Sequence, residues 1–263
     1  MEPRASGSGV AAERAAPRIV VEGLDLRYGD VQAAAGLSFD VRAGELVSLI
    51  GPSGCGKSSA LRAIGGLLQP AGGSVRVDGV EVTGPLPESI AYVFQDLALF
   101  PWRSARRNVE APLELRGLSR GQRRARALEL LELVGLADAA DRVPAELSGG
   151  MRQRVAIARA LACDGDILLL DEPFAALDEQ TRLKLGAELL RLLSEQGKTV
   201  VFVTHSLPEA AYLADRIVVL SGRPATVKDV IEVPLARPRV AGMMRTPSFH
   251  ALHDRLAALL LEA

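Results

Sequence analysis

The stretch Gly51-Pro52-Ser53-Gly54-Cys55-Gly56-Lys57-Ser58 constrains this chain more than any other. It has the spacing of a glycine-rich loop closed by a lysine and a hydroxyl. Glycines let successive backbone N–H groups turn inward on an anion. Lys57 adds a mobile positive charge for the outer phosphates of a nucleotide. Ser58 offers an oxygen to Mg²⁺, a hard cation that prefers such ligands. The flanks agree. Glu45–Ile50 reads as a buried strand, and Lys57–Ile64 as a helix whose N-terminus faces the phosphates.

Further along, the hydrophobic pattern predicts strands over Ile19–Tyr28, Leu37–Val41, Ser74–Val77 and Ile90–Phe94. Arg120–Leu136 and Ser148–Leu161 then read as helices, the first with Leu128, Leu131 and Val134 at helical spacing. After that the pattern alternates: strand Ile167–Leu170, helix Asp178–Glu195, strand Thr199–Thr204, helix Leu207–Leu213, strand Arg216–Leu220. Alternation of this kind implies a parallel sheet with helices on its faces, an α/β fold. The helical stretch from about Asp96 to Arg159 reads as an inserted lobe. Chemistry in an open parallel sheet collects at the carboxyl ends of its strands. Gly51, Gln95, Asp171, Glu172 and His205 all fall at such ends.

Composition limits the setting. The chain has 263 residues, enough for one large domain or two small ones, and its net charge of −1 argues against nucleic acid as a bulk partner. Cys55 and Cys163, the only cysteines, have no metal-ligand spacing and suit a reducing cytosol. No apolar run approaches the roughly 18–20 residues of a membrane helix. Met1–Ala16 is small and polar, and reads as a disordered leader. The expected location is therefore cytoplasmic, with a membrane reached only through a partner.

Two further segments carry chemistry. Ile167–Leu170 is an apolar strand that runs into Asp171 and Glu172. Successive strand residues point to opposite sides, so Asp171 is placed to hold Mg²⁺ while Glu172 aims elsewhere and polarises a water. Leu147-Ser148-Gly149-Gly150-Met151 opens a helix, with Ser148 as N-cap and glycines that leave amide groups open to an anion. A second phosphate-binding helix end is redundant beside Gly51–Ser58 unless it serves another subunit's nucleotide.

Taken together these segments resemble the ATP-binding cassette (ABC) ATPases. Gly51–Ser58 is similar to Walker A, Ile167–Glu172 to Walker B, and Leu147–Arg154 to the ABC signature. Gln95 resembles the Q-loop residue, Ala176-Leu177-Asp178 the D-loop, His205 the switch histidine, and Tyr28 the aromatic that stacks on adenine. The resemblance covers roughly residues 18–220. It implies a P-loop NTPase (RecA-like) core with an antiparallel β subdomain and an inserted α-helical subdomain at about 96–159. The implied ATPase domain is 17–225, followed by a short tail, 226–263.

The resemblance also implies roles. Two copies would pack head to tail around two ATP molecules. Tyr28, Gly51, Pro52, Ser53, Gly54, Cys55, Gly56, Lys57, Ser58 and Ser59 of one copy would bind each nucleotide. Ser148, Gly149 and Gly150 of the other copy would complete the site, with Asp178 linking the two sites. Ser58, Gln95 and Asp171 would serve Mg²⁺, and Glu172, His205 and Gln95 would act in hydrolysis. The chain departs from the family at Ala175-Ala176, where many relatives have Ser before Ala-Leu-Asp, and at Asp164-Gly165-Asp166, where many have Pro.

The stretch Val93–Arg103, followed by Asn108-Val109 and Pro112–Leu115, is similar to importer ATPases of the nitrate, sulfonate and taurine group. The partners so implied are a second copy, integral membrane permease subunits, and a solute-binding protein through the permease. The alternative is a soluble ABC ATPase acting on nucleic acid or ribosomes, which usually carries two cassettes or a long coiled coil. Trp102, the only tryptophan, is either an interface anchor or a plug in the lobe's own core. Ser248–Leu261 reads as an amphipathic helix with Phe249, Leu252, Leu256 and Leu259 on one face, docked on the chain's own surface.

Overall fold

The computed structural model describes residues 17–237 and 239–261. The expected leader, Met1–Ala16, lies outside them.

Two sheets are stacked with a helix between them. The main sheet has six strands in the order β10-β9-β3-β8-β7-β6: β3 (Leu46–Ile50), β6 (Ile90–Val93), β7 (Ile167–Asp171), β8 (Thr199–Val203), β9 (Arg216–Leu220) and β10 (Val227–Glu232). Neighbours from β9 to β6 are parallel, and β10 closes the edge antiparallel to β9. The second sheet is antiparallel, in the order β2-β1-β4-β5, from β1 (Pro17–Tyr28), β2 (Val31–Arg42), β4 (Gly72–Val77) and β5 (Val80–Glu81).

The central strands show why the sheet is buried on both faces. β3, β7, β8 and β9 have no exposed residue, and their side chains alternate between two cores. Val47, Leu49, Ile167, Leu169, Val201, Val203, Val218 and Leu220 face the antiparallel sheet and helix α1 (Lys57–Ile64). Leu46, Ile50, Leu168, Leu170, Val200, Phe202, Ile217 and Val219 face the other way. There they join buried residues of α4 (Gly149–Leu161), α5 (Glu179–Glu195) and α6 (Leu207–Leu213).

The helical lobe packs α2 (Ala105–Leu115) and α3 (Arg120–Leu133) on α4. α2 lies in the expected helical stretch, although no helix is named there from the sequence, and it carries Pro112 inside it. Ser104 caps its start, and the buried Asn108 pins the chain before it. The Asn108 amide donates to the carbonyls of Phe100, Arg103 and Ser104 and accepts from the Phe100 N–H at 2.8 Å. Trp102 is 75% exposed beside Phe100, which overturns the core-plug alternative.

The segment expected to begin the tail supplies β10 instead. Beyond it, α7 (Pro247–Leu261) buries Phe249, Leu252 and Leu256 in the chain's own core, as expected. Among the described residues no helix is long and apolar enough to cross a membrane.

Candidate active site

The site forms where β3, β8 and β7 end side by side. Gly51 follows β3, and the loop turns through Gly56 into α1. Gly56 has φ of 116°, and a Cβ there would lie 2.8 Å from the Ala33 carbonyl, so only glycine fits. No side chain caps the first turn of α1, so its amide groups face the loop. Lys57 is nearly buried, and its ammonium donates to the carbonyls of Gly51 at 2.9 Å and Pro52 at 2.8 Å.

Ser58 donates its hydroxyl to Asp171 Oδ1 at 2.8 Å, across 113 residues of sequence. Burial pushes the Asp171 carboxyl above its ordinary range, opposed by the Ser58 hydroxyl and by the charges of Arg62 and Lys57. Two hard oxygens side by side, one on a desolvated carboxylate, are a donor set for Mg²⁺. Among the described residues no group of three or more His, Cys, Asp and Glu could hold a metal alone.

Glu172 follows Asp171 with φ of 50°, a left-handed conformation uncommon outside glycine. Its N–H donates to the Val203 carbonyl at 3.1 Å, and its Oε2 lies 3.6 Å from His205 Nδ1. The backbone around His205 is tied down by its neighbours. Thr204, buried, donates to Glu209 Oε2 and accepts the Ser206 N–H, both at 3.0 Å. Burial pushes Glu209 up to about 7.

Tyr28 is half exposed, with its hydroxyl 3.1 Å from Ser59 Oγ, which sets the ring beside the phosphate loop. Gln95 follows β6. It lines a groove of about 400 Å³ with Leu97, Leu99, Gly149, Arg152 and Ala176. Cys55 is buried, with Lys57 Nζ at 4.0 Å from its sulfur, so the thiol faces the interior of the loop.

Ser148, Gly149 and Gly150 do not join this cluster. Ser148 is exposed and accepts the Met151 N–H at 3.3 Å, capping only its own helix. Gly149 and Gly150 lie against Ala176 and Leu177; a Cβ at Gly150 would sit 2.6 Å from Leu177 Cδ2. Asp178 Oδ1 accepts the Thr181 N–H at 3.0 Å and caps α5.

Three residues with no role in the sequence reading support the site. Gln153, buried, bonds the backbone at Glu172 and Ala176. Arg159 donates to the carbonyls of Leu97 and Ala98, both at 2.6 Å, two and three residues past Gln95. Arg223, from the β9–β10 turn, donates to the Gly54 carbonyl at 2.8 Å. All three grip backbone far away in sequence, and no local pattern signals that.

The chain is similar to known proteins over most of its length. The ABC transporter family model matches residues 34–175. A Brucella abortus protein named for ATP binding is 47% identical over 91% of this chain and 92% of its own length. From Synechococcus elongatus, the nitrate import ATP-binding protein NrtC and the bicarbonate transport ATP-binding protein CmpC are 45% and 44% identical over 88% and 87% of this chain. The chain spans 36% and 35% of those two proteins. The dimeric post-hydrolysis structure of the ATP-binding cassette MJ0796, bound to ADP and Pi, superposes with a TM-score of 0.76 at 35% identity, covering 83% of this chain and all of the other.

Proposed function

The chain belongs to the ABC transporter family and is an ABC-type ATPase, and from that premise we propose that it powers a membrane importer of a small anionic solute. The observation that carries the hydrolytic reading is the Ser58–Asp171 bond, with Glu172 and His205 on the adjoining strand ends. The importer reading rests on relatives named for nitrate import and bicarbonate transport. Those names favour a small inorganic anion over a sulfonate or taurine.

In this reading the amides of Gly51–Ser58 receive the phosphates, with Pro52, Ser53, Gly54, Cys55 and Gly56 shaping the loop and Ser59 at its edge. The Lys57 ammonium leaves its two carbonyl partners for the outer phosphates. Tyr28 stacks on the base. Ser58, Asp171 and Gln95 would hold Mg²⁺, which when bound offsets the charge on the β- and γ-phosphate oxygens. Glu172 orients the attacking water and takes up its proton, and His205 contacts the γ-phosphate.

Ser148, Gly149 and Gly150 serve the nucleotide held by a second copy, and Asp178 lies between the two sites. Permease subunits dock on the helical lobe near the exposed Trp102, and a solute-binding protein acts through them. The protein would then lie on the inner face of the membrane without spanning it.

Glu172→Gln tests the reading. It keeps the shape and removes the negative charge beside the attacking water. ATP hydrolysis should fall by a factor on the order of 10² or more while ATP binding survives. Size-exclusion chromatography with ATP should then show an accumulated dimer. Turnover near that of the unmodified protein would remove Glu172 from its role.

A further inference from the structure

We infer that Gln153 is a positioning residue for Glu172, and that it ties the start of helix α4 to the hydrolytic carboxylate of the same chain. The inference rests on the hydrolytic reading above.

Gln153 is 3% exposed, and its amide is used at both ends. Nε2 donates to the Glu172 carbonyl at 2.9 Å, and Oε1 accepts the Ala176 N–H at 2.9 Å. Glu172 needs such a clamp. A non-glycine residue at φ of 50° stays there only when its surroundings hold it. The Val203 carbonyl holds its N–H, and Gln153 holds its carbonyl. Together they fix the peptide planes on both sides of Glu172, and so the direction in which its carboxylate leaves the backbone.

The same side chain reaches the next turn. Ala176 is gripped by Gln153, and Leu177 is in contact with Gly150 at the start of α4. One amide therefore joins the helix start, Glu172 and the 176–178 segment. In a head-to-tail pair, the start of α4 meets the other copy's nucleotide. A shift of α4 on that nucleotide would move Gln153, and with it the Glu172 that acts on this chain's own nucleotide. Gln153 thus supplies a route by which occupancy of one site sets the geometry of the other.

The test is steady-state ATP hydrolysis by the full-length protein, with binding of a fluorescent ATP analogue and thermal unfolding followed on the same samples. Gln153→Met keeps the length of the side chain and removes both bonds. Gln153→Glu keeps the acceptor for Ala176 and sets a second acceptor against the Glu172 carbonyl. Both should lower kcat by at least about 10-fold, since a displacement on the order of 1 Å at the reacting centre costs up to ~10²-fold. KM for ATP and the analogue's Kd should stay within about twofold, because the phosphate loop is untouched. Unfolding should remain cooperative.

A kcat within about twofold of the unmodified protein would overturn the inference. So would a KM that rises in step with the fall in kcat, or loss of cooperative unfolding in both variants, each of which marks a packing residue. The unmodified protein and Glu172→Gln are the references. If the first fails to hydrolyse ATP, or the second hydrolyses it normally, the functional reading fails. If both behave and the Gln153 variants match the unmodified protein, only the positioning role fails.

Discussion

Gly51–Ser58 and Ser148–Gly150 are both glycine-containing turns that open a helix, and the chain surrounds them differently. The first is enclosed. Lys57 is bonded within the loop, Ser58 is bonded to Asp171, and Gly54 is held by Arg223. The second faces outward. Ser148 is exposed and caps only its own helix, and the glycines rest on the 176–177 turn rather than on the phosphate loop. One turn is held by bonds from distant parts of the chain. The other is an exposed helix end whose serine caps only its own helix. The contrast suits the proposed composite site, in which each copy would complete the other's.

That contrast can be broken at either end. The largest single effect is expected from Ser148→Arg, which sets a bulky cation on the exposed helix end. Hydrolysis should fall by a factor on the order of 10² or more, while ATP binding, measured with a fluorescent analogue, stays near normal. Loss of ATP binding in this variant would mean that Ser148 serves its own chain's loop.

Arg223→Ala sharpens the enclosed half. Removing the donor to the Gly54 carbonyl loosens the loop without touching Glu172 or His205. The Kd for ATP should rise several-fold, by roughly the 1 kcal/mol of one solvent-exposed hydrogen bond, with kcat changed less. An unchanged Kd would show that the loop holds its shape without the β9–β10 turn.

The remaining effect is on stability rather than on turnover or binding. Glu209 accepts the hydroxyl of Thr204 with Oε2 while its Oε1 is buried and unpartnered, and burial raises its pKa from 4.5 to about 7. The folded state therefore binds the extra proton more tightly than the unfolded one. This group's contribution is greatest below about pH 4.5 and is lost as pH rises through about 7, on the order of 3 kcal/mol in all. Glu209→Gln should match the unmodified protein near pH 4.5 and melt several degrees higher at pH 8. Equal melting temperatures at both pH values would contradict the raised pKa.

How much of this was legible beforehand follows from where each requirement sits. The phosphate loop is local. Gly56, Lys57 and Ser58 must stand in that order for the backbone to turn and the charge to arrive, so the residues announce it. The central strands announce themselves through unbroken apolar runs such as Ile167–Leu170. β10 did not, because Lys228 and Asp229 interrupt an edge strand with one buried residue, Ile231. α2 was hidden by Pro112, which Asn108 and the packing of Val109 and Leu113 outweigh. Gln153 and Arg159 stayed silent for a different reason. Their partners are backbone carbonyls and amides, which carry no residue identity.

The central claim is that each nucleotide lies between the loop of one copy and the α4 start of the other. Mixing a Ser148→Arg subunit with a Lys57→Ala subunit tests it most directly, with the permease present if the isolated chains turn over slowly. In a mixed pair both lesions would fall on one composite site and leave the other whole. Two proteins that are inactive alone should therefore regain part of the ATPase activity on mixing. If mixed dimers are demonstrated and Glu172→Gln mixed with the unmodified protein shows that one intact site suffices, activity that stays at zero would contradict the composite site.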